Sequence, residues 1–201
     1  MFYQPEDGHG LPHDPFKAIV APRPIGWISS RNAAGELNLA PYSFFNAIST
    51  HPHLVLFSSE GAKDSATFAG ETGEFVANLA TRALAEKMNA SAVDAPRGTS
   101  EFGYAGLTSA PSRIVSVPRV AEAPAALECK VTEIIQPKGL AGRPGGVHVV
   151  FGEVVGVHID DAFLTDGLFD IVKAGTIARL GYMDYAQVLE TFAMRRPRWQ
   201  D

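Results

Sequence analysis

Between Arg23 and Asn78 the chain collects the groups that hold a phosphate and a polyhydroxyl chain. It carries Arg23, the pair Ser29 and Ser30, Ser43 within APYSFFN, the pair Ser58 and Ser59, and Lys63 and Ser65 in KDS. Hydroxyls around one lysine and one arginine supply short, charge-assisted hydrogen bonds to an oxyanion. Trp27, Tyr42, Phe44 and Phe45 stand among them and offer walls for a flat ring. The same serines also suit strand ends, and the same aromatics suit a barrel interior, so composition alone leaves the two readings open.

Other chemistries find less support. No GxxxxGK[ST] or GxSxG occurs, and GLAGRPGG lies in a β-rich context with no helix after it, which excludes a P-loop or Rossmann reading. The single cysteine, Cys129, falls inside an alternating segment and reads as a small buried apolar residue rather than a nucleophile. It also rules out an intrachain disulfide and any zinc site with several thiolates, as expected of a reducing compartment. His51 and His53 flank Pro52 in a turn, and His148 and His158 lie on a strand, so these imidazoles read as solvated or hydrogen-bonded and no metal is expected.

The elements that must position these residues are mostly strands. Short apolar runs, PIGWISS, LNLAPYSFFNAIS and HLVLFSS, are bounded by turn residues and predict a strand, a hairpin turn, a second strand and a third. GEFVANL, residues 73–79, predicts another strand, and TRALAEKMNASA after it predicts a helix from the spacing of Leu84, Met88 and Ala92. ALECKVTEI places Leu127, Cys129, Val131 and Glu133 on one face, and GVHVVFGEVVGVHID completes an antiparallel hairpin with it across GLAGRPGG. DYAQVLETFAM predicts a short helix near the end. The expected fold class is mainly β with a few α-helices, an antiparallel barrel closed or partly closed, over one domain of residues 1–201.

Composition sets outer bounds. The chain has 201 residues, 46% hydrophobic and 19% charged, which is ordinary for a globular protein and excludes disorder as the main state. A net charge of -5 argues against nucleic acid as a partner. No apolar run is long enough for a membrane helix and MFYQPEDGHG lacks signal-peptide character, so a cytoplasmic location without membrane contact is the expectation.

PRPIGWISS, NLAPYSFFNAIS, LVLFSS, KDS and GEFVANL, followed by SEFGYAGLT, ALECKV, HVVFGEVVGVHID and ARLGYMDY, resemble in order and spacing the flavin reductase-like proteins with the FMN-binding split barrel. That group includes flavoredoxin and the reductase components of two-component monooxygenases, and the likeness covers roughly residues 14–186. The resemblance implies a split β-barrel that binds FMN in a groove at a homodimer interface. By it, Ser29, Ser30, Ala40, Pro41, Tyr42 and Ser43 contact the flavin or its chain, Asn46 lies near the ring, and Ser58 and Ser59 border the ribityl and phosphate region. Lys63, Asp64 and Ser65 form the phosphate end, with Asp64 as a turn or structural partner. Arg23 is left between neutralising phosphate, lying at the pyrimidine edge and pairing with a carboxylate, while Phe102 and Tyr104 sit on a mobile segment near the site.

The implied activity is an NAD(P)H:flavin reductase using bound or exchangeable FMN, with a partner monooxygenase or other electron acceptor. The alternative is an FMN-binding electron carrier or interaction module without nicotinamide turnover. Because the flavin carries the hydride chemistry, no catalytic side chain is required. RLGYMDY departs from the group by placing Tyr182 where many relatives have a second glycine. Nothing selects NADH over NADPH; Arg195, Arg196 and Arg198 suit a 2′-phosphate but equally a solvated tail.

Overall fold

The structure is a computed structural model that describes residues 1–96 and 98–199. In chain order, helix α1 (Phe16–Ile19) leads into strands β1 (Arg23–Pro24), β2 (Gly26–Arg31), β3 (Leu37–Tyr42), β4 (Phe45–Thr50) and β5 (His53–Glu60). Helix α2 (Asp64–Thr72), strand β6 (Glu74–Leu79) and helices α3 (Ala85–Ala90) and α4 (Glu101–Tyr104) follow. Strands β7 (Ser109–Ala110), β8 (Arg119–Val120), β9 (Ala125–Ile135), β10 (Val147–Ile159), β11 (Leu164–Thr165), β12 (Leu168–Phe169), β13 (Ile177–Arg179) and β14 (Tyr185–Gln187) complete the described elements.

Seven strands form one antiparallel sheet in the order β3-β2-β6-β9-β10-β5-β4. Its two edges, β3 and β4, are consecutive in the chain and joined only by Ser43 and Phe44. Two residues reach about 7 Å when extended, so the edges must come together and the sheet must curl. The Ser58 N–H donates to the Phe44 carbonyl at 2.8 Å, continuing the β4–β5 pairing, and the Tyr42 ring lies 5.0 Å from that of Phe57, which brings the end of β3 against β5 beside the other edge. No ladder joins β3 to β4. The result is the expected barrel, split between those strands.

Alternation fills it. Along β5, Val55, Phe57 and Ser59 are buried, and they face a cluster with Ile28, Phe75, Ala77, Cys129 and Val150 that α2 covers through Ala66 and Ala69. Gly152 belongs to this packing, since a Cβ there would fall 2.5 Å from the Phe75 ring. On the outer side of β2, Trp27 enters a second cluster with Leu39, Met88, Phe102 and Val120, and its indole donates to Ser91 Oγ at 2.9 Å. β2 is therefore buried on both faces. This second cluster docks α3 and α4, with Met88 from the expected helical stripe at its centre.

Three local expectations need correction. LNLAPYSFFNAIS is not one strand but two, broken at Ser43–Phe44 where the chain passes from one sheet edge to the other. Glu133 does not share the buried face: the β9–β10 register shifts by one residue between Val131 and Glu133, so the alternation flips beyond Thr132 and Glu133 is exposed. DYAQVLETFAM is not a helix, because Tyr185–Gln187 pairs with β13 and Val188 N–H donates to the Thr176 carbonyl. Leu189, Phe192 and Met194 are then 72%, 86% and 83% exposed, with no core against which a short amphipathic helix could be stabilised.

Candidate functional site

Helix α2 starts at Asp64 after Lys63, whose extended backbone makes it the N-cap, and no side chain caps that end. Uncapped first-turn N–H groups and the helix dipole favour an anion. Lys63 Nζ lies 3.5 Å from Asp94, with both side chains mostly exposed, so this pair is easily exchanged for another anion. Ser65 Oγ donates to Asn38 Oδ1 at 2.6 Å, and Asn38 Nδ2 donates to Glu101 at 3.3 Å. The same Glu101 oxygen accepts the Leu39 N–H at 2.9 Å. These bonds lock α2, β3 and α4 around a groove of about 290 Å³ lined by Ala40, Pro41, Tyr42, Lys63, Asp64 and Ser65, with Asn38 and Glu101 at its wall.

Pro41 and Ala92 pass from this groove into a second, of about 310 Å³, that contains Arg23, Ser43, Arg179 and Tyr182. Arg23 and Ser43 are shared in turn with a third, of about 490 Å³, reaching Phe44, Phe45 and Asn46. The three grooves thus adjoin one another, through shared wall residues, in a trough along the split. Arg23 is 6% exposed and donates to the Lys17, Val20 and Leu180 carbonyls and to Ser43 Oγ. It meets no carboxylate among the described residues, and burial and the neighbouring Arg179 lower its pKa. Arg23 staples α1, β4's approach and the segment after β13, and gives the trough a positive floor.

The remaining expected residues are placed otherwise. Ser29 is buried, donates to the Pro118 carbonyl at 2.7 Å and accepts from Asn78 at 3.3 Å. Ser30 and Ser59 are fully buried with hydroxyls that have no hydrogen-bond partner among the described residues, and Ser58 is half-buried on β5. Phe102 is 4% exposed within the Trp27 cluster, whereas Tyr104 is 64% exposed. Tyr182 adopts φ +55°, the left-handed conformation that glycine takes without strain. Gly181 before it lies against α1, where a Cβ would meet Ala18 at 2.4 Å. Arg195, Arg196 and Arg198 lie in the exposed terminal segment, away from these grooves.

Cys129 is fully buried, and desolvation together with the Glu128 charge pushes its thiol pKa well up, which removes nucleophilic character. No cluster of three or more metal-binding side chains occurs among the described residues. His148 Nε2 meets Gln136 at 2.7 Å, and His158 Nε2 meets Glu128 at 2.5 Å.

Glu128 is what sequence reasoning missed. Alternating with Leu127 and Cys129, it belongs by pattern to a solvent face, yet it is 1% exposed and accepts the Arg113, Ile114 and Val115 N–H groups at 2.7 to 2.9 Å. No local signal marks it, because its partners return from a loop 13 to 15 residues away. Arg179 is the other omission: its guanidinium lies 4.5 Å from the Tyr185 ring and donates to the Tyr182 carbonyl.

The chain is 37% identical over 183 residues, 89% of this chain and 87% of the relative, to an uncharacterized protein of Halalkalibacterium halodurans. Among solved structures, nitrilotriacetate monooxygenase component B from Bacillus cereus superimposes with a TM-score of 0.88 at 29% identity, covering 96% of this chain and 98% of that one. The 2-nitrobenzoate 2-nitroreductase of Pseudomonas fluorescens gives 0.81 at 28% identity, covering 92% and 90%. Flavoredoxin of Desulfovibrio vulgaris, at 23% identity and 0.77 over 86% and 90%, shares the fold. Residues 20–173 match the model of the flavin reductase like domain, and on that match and those likenesses the chain belongs to the flavin reductase-like family of split-barrel proteins.

Proposed function

We propose that this protein is an FMN-dependent oxidoreductase that works as an NAD(P)H:flavin reductase. The observation that carries the reading is the trough along the barrel split, which brings Arg23, Ala40, Pro41, Tyr42, Ser43, Asn46, Lys63, Asp64 and Ser65 into one run ending at the α2 N-terminus. FMN fits the donor set. Lys63 and the first-turn N–H groups of α2 suit a phosphate, and the Ala40–Ser43 backbone and Tyr42 suit a ring edge and face. When bound, FMN supplies a ring that accepts hydride from reduced nicotinamide at N5. The chain's part is to bind, orient and exclude water.

Lys63→Ala removes a charge-assisted contact worth roughly 1.5 to 3 kcal/mol, so FMN affinity falls about tenfold or more while riboflavin affinity changes little. Fluorescence titration with both flavins reads this directly; equal losses exclude Lys63 as a phosphate ligand. Anaerobic stopped-flow mixing with NADH and NADPH then tests turnover. Flavin reduced no faster than free FMN, though dithionite reduces it, replaces the reductase reading with that of an electron carrier.

The same proposal includes a cytoplasmic homodimer with two flavin sites at its interface, supplying electrons to a partner monooxygenase or another acceptor. Ile48, Ile114, Val157 and Ile159 are 45% to 56% exposed, and apolar strand and loop surface of this kind favours a second copy. Light scattering of the FMN-loaded protein decides: a monomer mass with flavin fully bound rejects the interface. The family likeness to monooxygenase component B proteins supports the partner class.

A further inference from the structure

A groove of about 710 Å³ opens beside the proposed flavin trough, between α3 and the β13–β14 hairpin. Arg82 and Glu86 lie on its helical side, Arg179 and Tyr185 on its hairpin side, and Met88, Asn89, Arg179 and Tyr185 line both this groove and the Arg23 groove. The arginines here are unusually placed. Arg23 and Arg179 are direct cross-strand partners in the β1–β13 pairing, a position where like charges repel. No carboxylate lies within ion-pair distance of Arg23, Arg82 or Arg179 among the described residues, and Glu86, in the same groove, bonds to none of them.

Two guanidinium groups side by side without a counter-charge are a cost to the folded protein unless an anion joins them. Each nitrogen of Arg23 already donates to a carbonyl or to Ser43 and the side chain is buried, so it contributes field more than contacts. Arg179 is half-buried, stacked on Tyr185, and spends one nitrogen on the Tyr182 carbonyl; its Nε and Nη1 have no partner among the described residues. A guanidinium held against an aromatic ring beside a groove, with N–H groups to spare, donates charge-assisted hydrogen bonds to a carboxylate or phosphate that enters there.

We propose that this groove binds the anionic group, carboxylate or phosphate, of the flat molecule that exchanges electrons with the flavin, with Arg179 as the direct contact and Arg82 as a second cation across the groove. The inference rests on the flavin reading for the identity of that molecule as a redox partner, but the anion site itself does not. Tyr185 supplies a face for a ring, and Glu86 suits hydroxyls of a sugar rather than the anion. The two sources of such an anion are a nicotinamide dinucleotide, through its phosphates, and an aromatic carboxylic acid.

Isothermal titration calorimetry on the full-length protein, with and without saturating FMN, tests this with three probes: ADP-ribose, benzoate and benzamide. ADP-ribose binding alone assigns the phosphate source, benzoate binding alone the carboxylate source, and binding of both a shared anion site; benzamide, with the same ring and no charge, does not bind in any of these. Arg179→Gln weakens the bound probe about tenfold or more, and Arg82→Gln, at an exposed residue that leaves FMN affinity unchanged, weakens it less. Folding of both variants is checked by thermal unfolding. The proposal is overturned if neither anion binds, if benzamide binds as well as benzoate, or if a folded Arg179→Gln protein retains full affinity. An Arg179-dependent anion titration in a protein that takes up no FMN removes the flavin reading and keeps the site; tight FMN binding with no anion titration does the reverse.

Discussion

Replacing Glu128 by Gln separates the charge of this buried carboxylate from its shape. One oxygen accepts the Arg113 N–H at 2.7 Å and His158 Nε2 at 2.5 Å; the other accepts the Ile114 and Val115 N–H groups at 2.7 and 2.9 Å. Desolvation acts to raise the Glu128 pKa, but the hydrogen bonds from Arg113, His158, Val115 and Ile114 outweigh it and bring the value from 4.5 down to about 2. The folded state therefore prefers the ionised form. Its contribution is complete above pH 4.5 and is lost as the pH falls toward 2, and the displacement corresponds to about 3 kcal/mol. A glutamine keeps the size but turns an NH₂ toward donors, so at pH 7 the variant loses about this amount and the loop around residues 113–115 loosens over β9. Urea unfolding at pH 7, 5, 4 and 3 measures the gap between the two proteins. It is near 3 kcal/mol at pH 7 and narrows steadily below pH 4.5. A gap that is the same at pH 7 and pH 3 refutes the argument, because the lost stability then owes nothing to the charge.

Other substitutions follow from the packing. Phe102→Ala empties a 4% exposed position in the Trp27 cluster and costs about 3 to 5 kcal/mol in denaturant unfolding, which makes a loss of stability, not of nicotinamide KM, its first signature. Gly152→Ala forces a methyl to within 2.5 Å of the Phe75 ring and 3.2 Å of Cys129 Cβ, and lowers stability by about 1 to 3 kcal/mol. Tyr182→Gly relieves a left-handed φ of +55° while giving up the contact with the His13 ring at 5.7 Å, so the unfolding midpoint changes little. A large loss there contradicts the view that backbone conformation governs this position.

The barrel was largely legible because strand alternation is a local property. GEFVANL, ALECKV and HVVFGEVVGVHID each carry their buried face in their own order, and β6, β9 and β10 follow them. Ala40–Ser43 and Lys63–Ser65 were picked out through the family resemblance rather than by any local pattern, and they line one groove at a strand end and a helix start. What was hidden depends on contacts distant in the chain. Arg23 owes one of its hydrogen bonds to the Leu180 carbonyl, 157 residues away, and Glu128 owes its burial to a loop that folds back over β9. The terminal segment carries the apolar Leu189, Phe192 and Met194, but with no surface to pack on they hold no helix.

The split between β3 and β4 is where such a protein can recognise a polar ligand, and the sequence protects that edge from the wrong partner. β3 pairs with β2 on one side only, so its other side offers backbone groups as a template for strand addition. The Leu39 N–H on that side is taken by the buried Glu101 carboxylate at 2.9 Å. Two residues on, the position with the same orientation is Pro41, which has no N–H to offer. Two of the three outward positions of the edge, Leu39 and Pro41, thereby offer no free donor, while their carbonyls remain and only Leu37 keeps an outward N–H. A neighbouring strand needs both; a ring whose rim carries its own N–H needs only the carbonyls. The choice of Pro41 and Glu101 thus does two things at once, blocking edge-to-edge pairing and leaving the trough suited to a heterocycle whose other end reaches Lys63 and the start of α2.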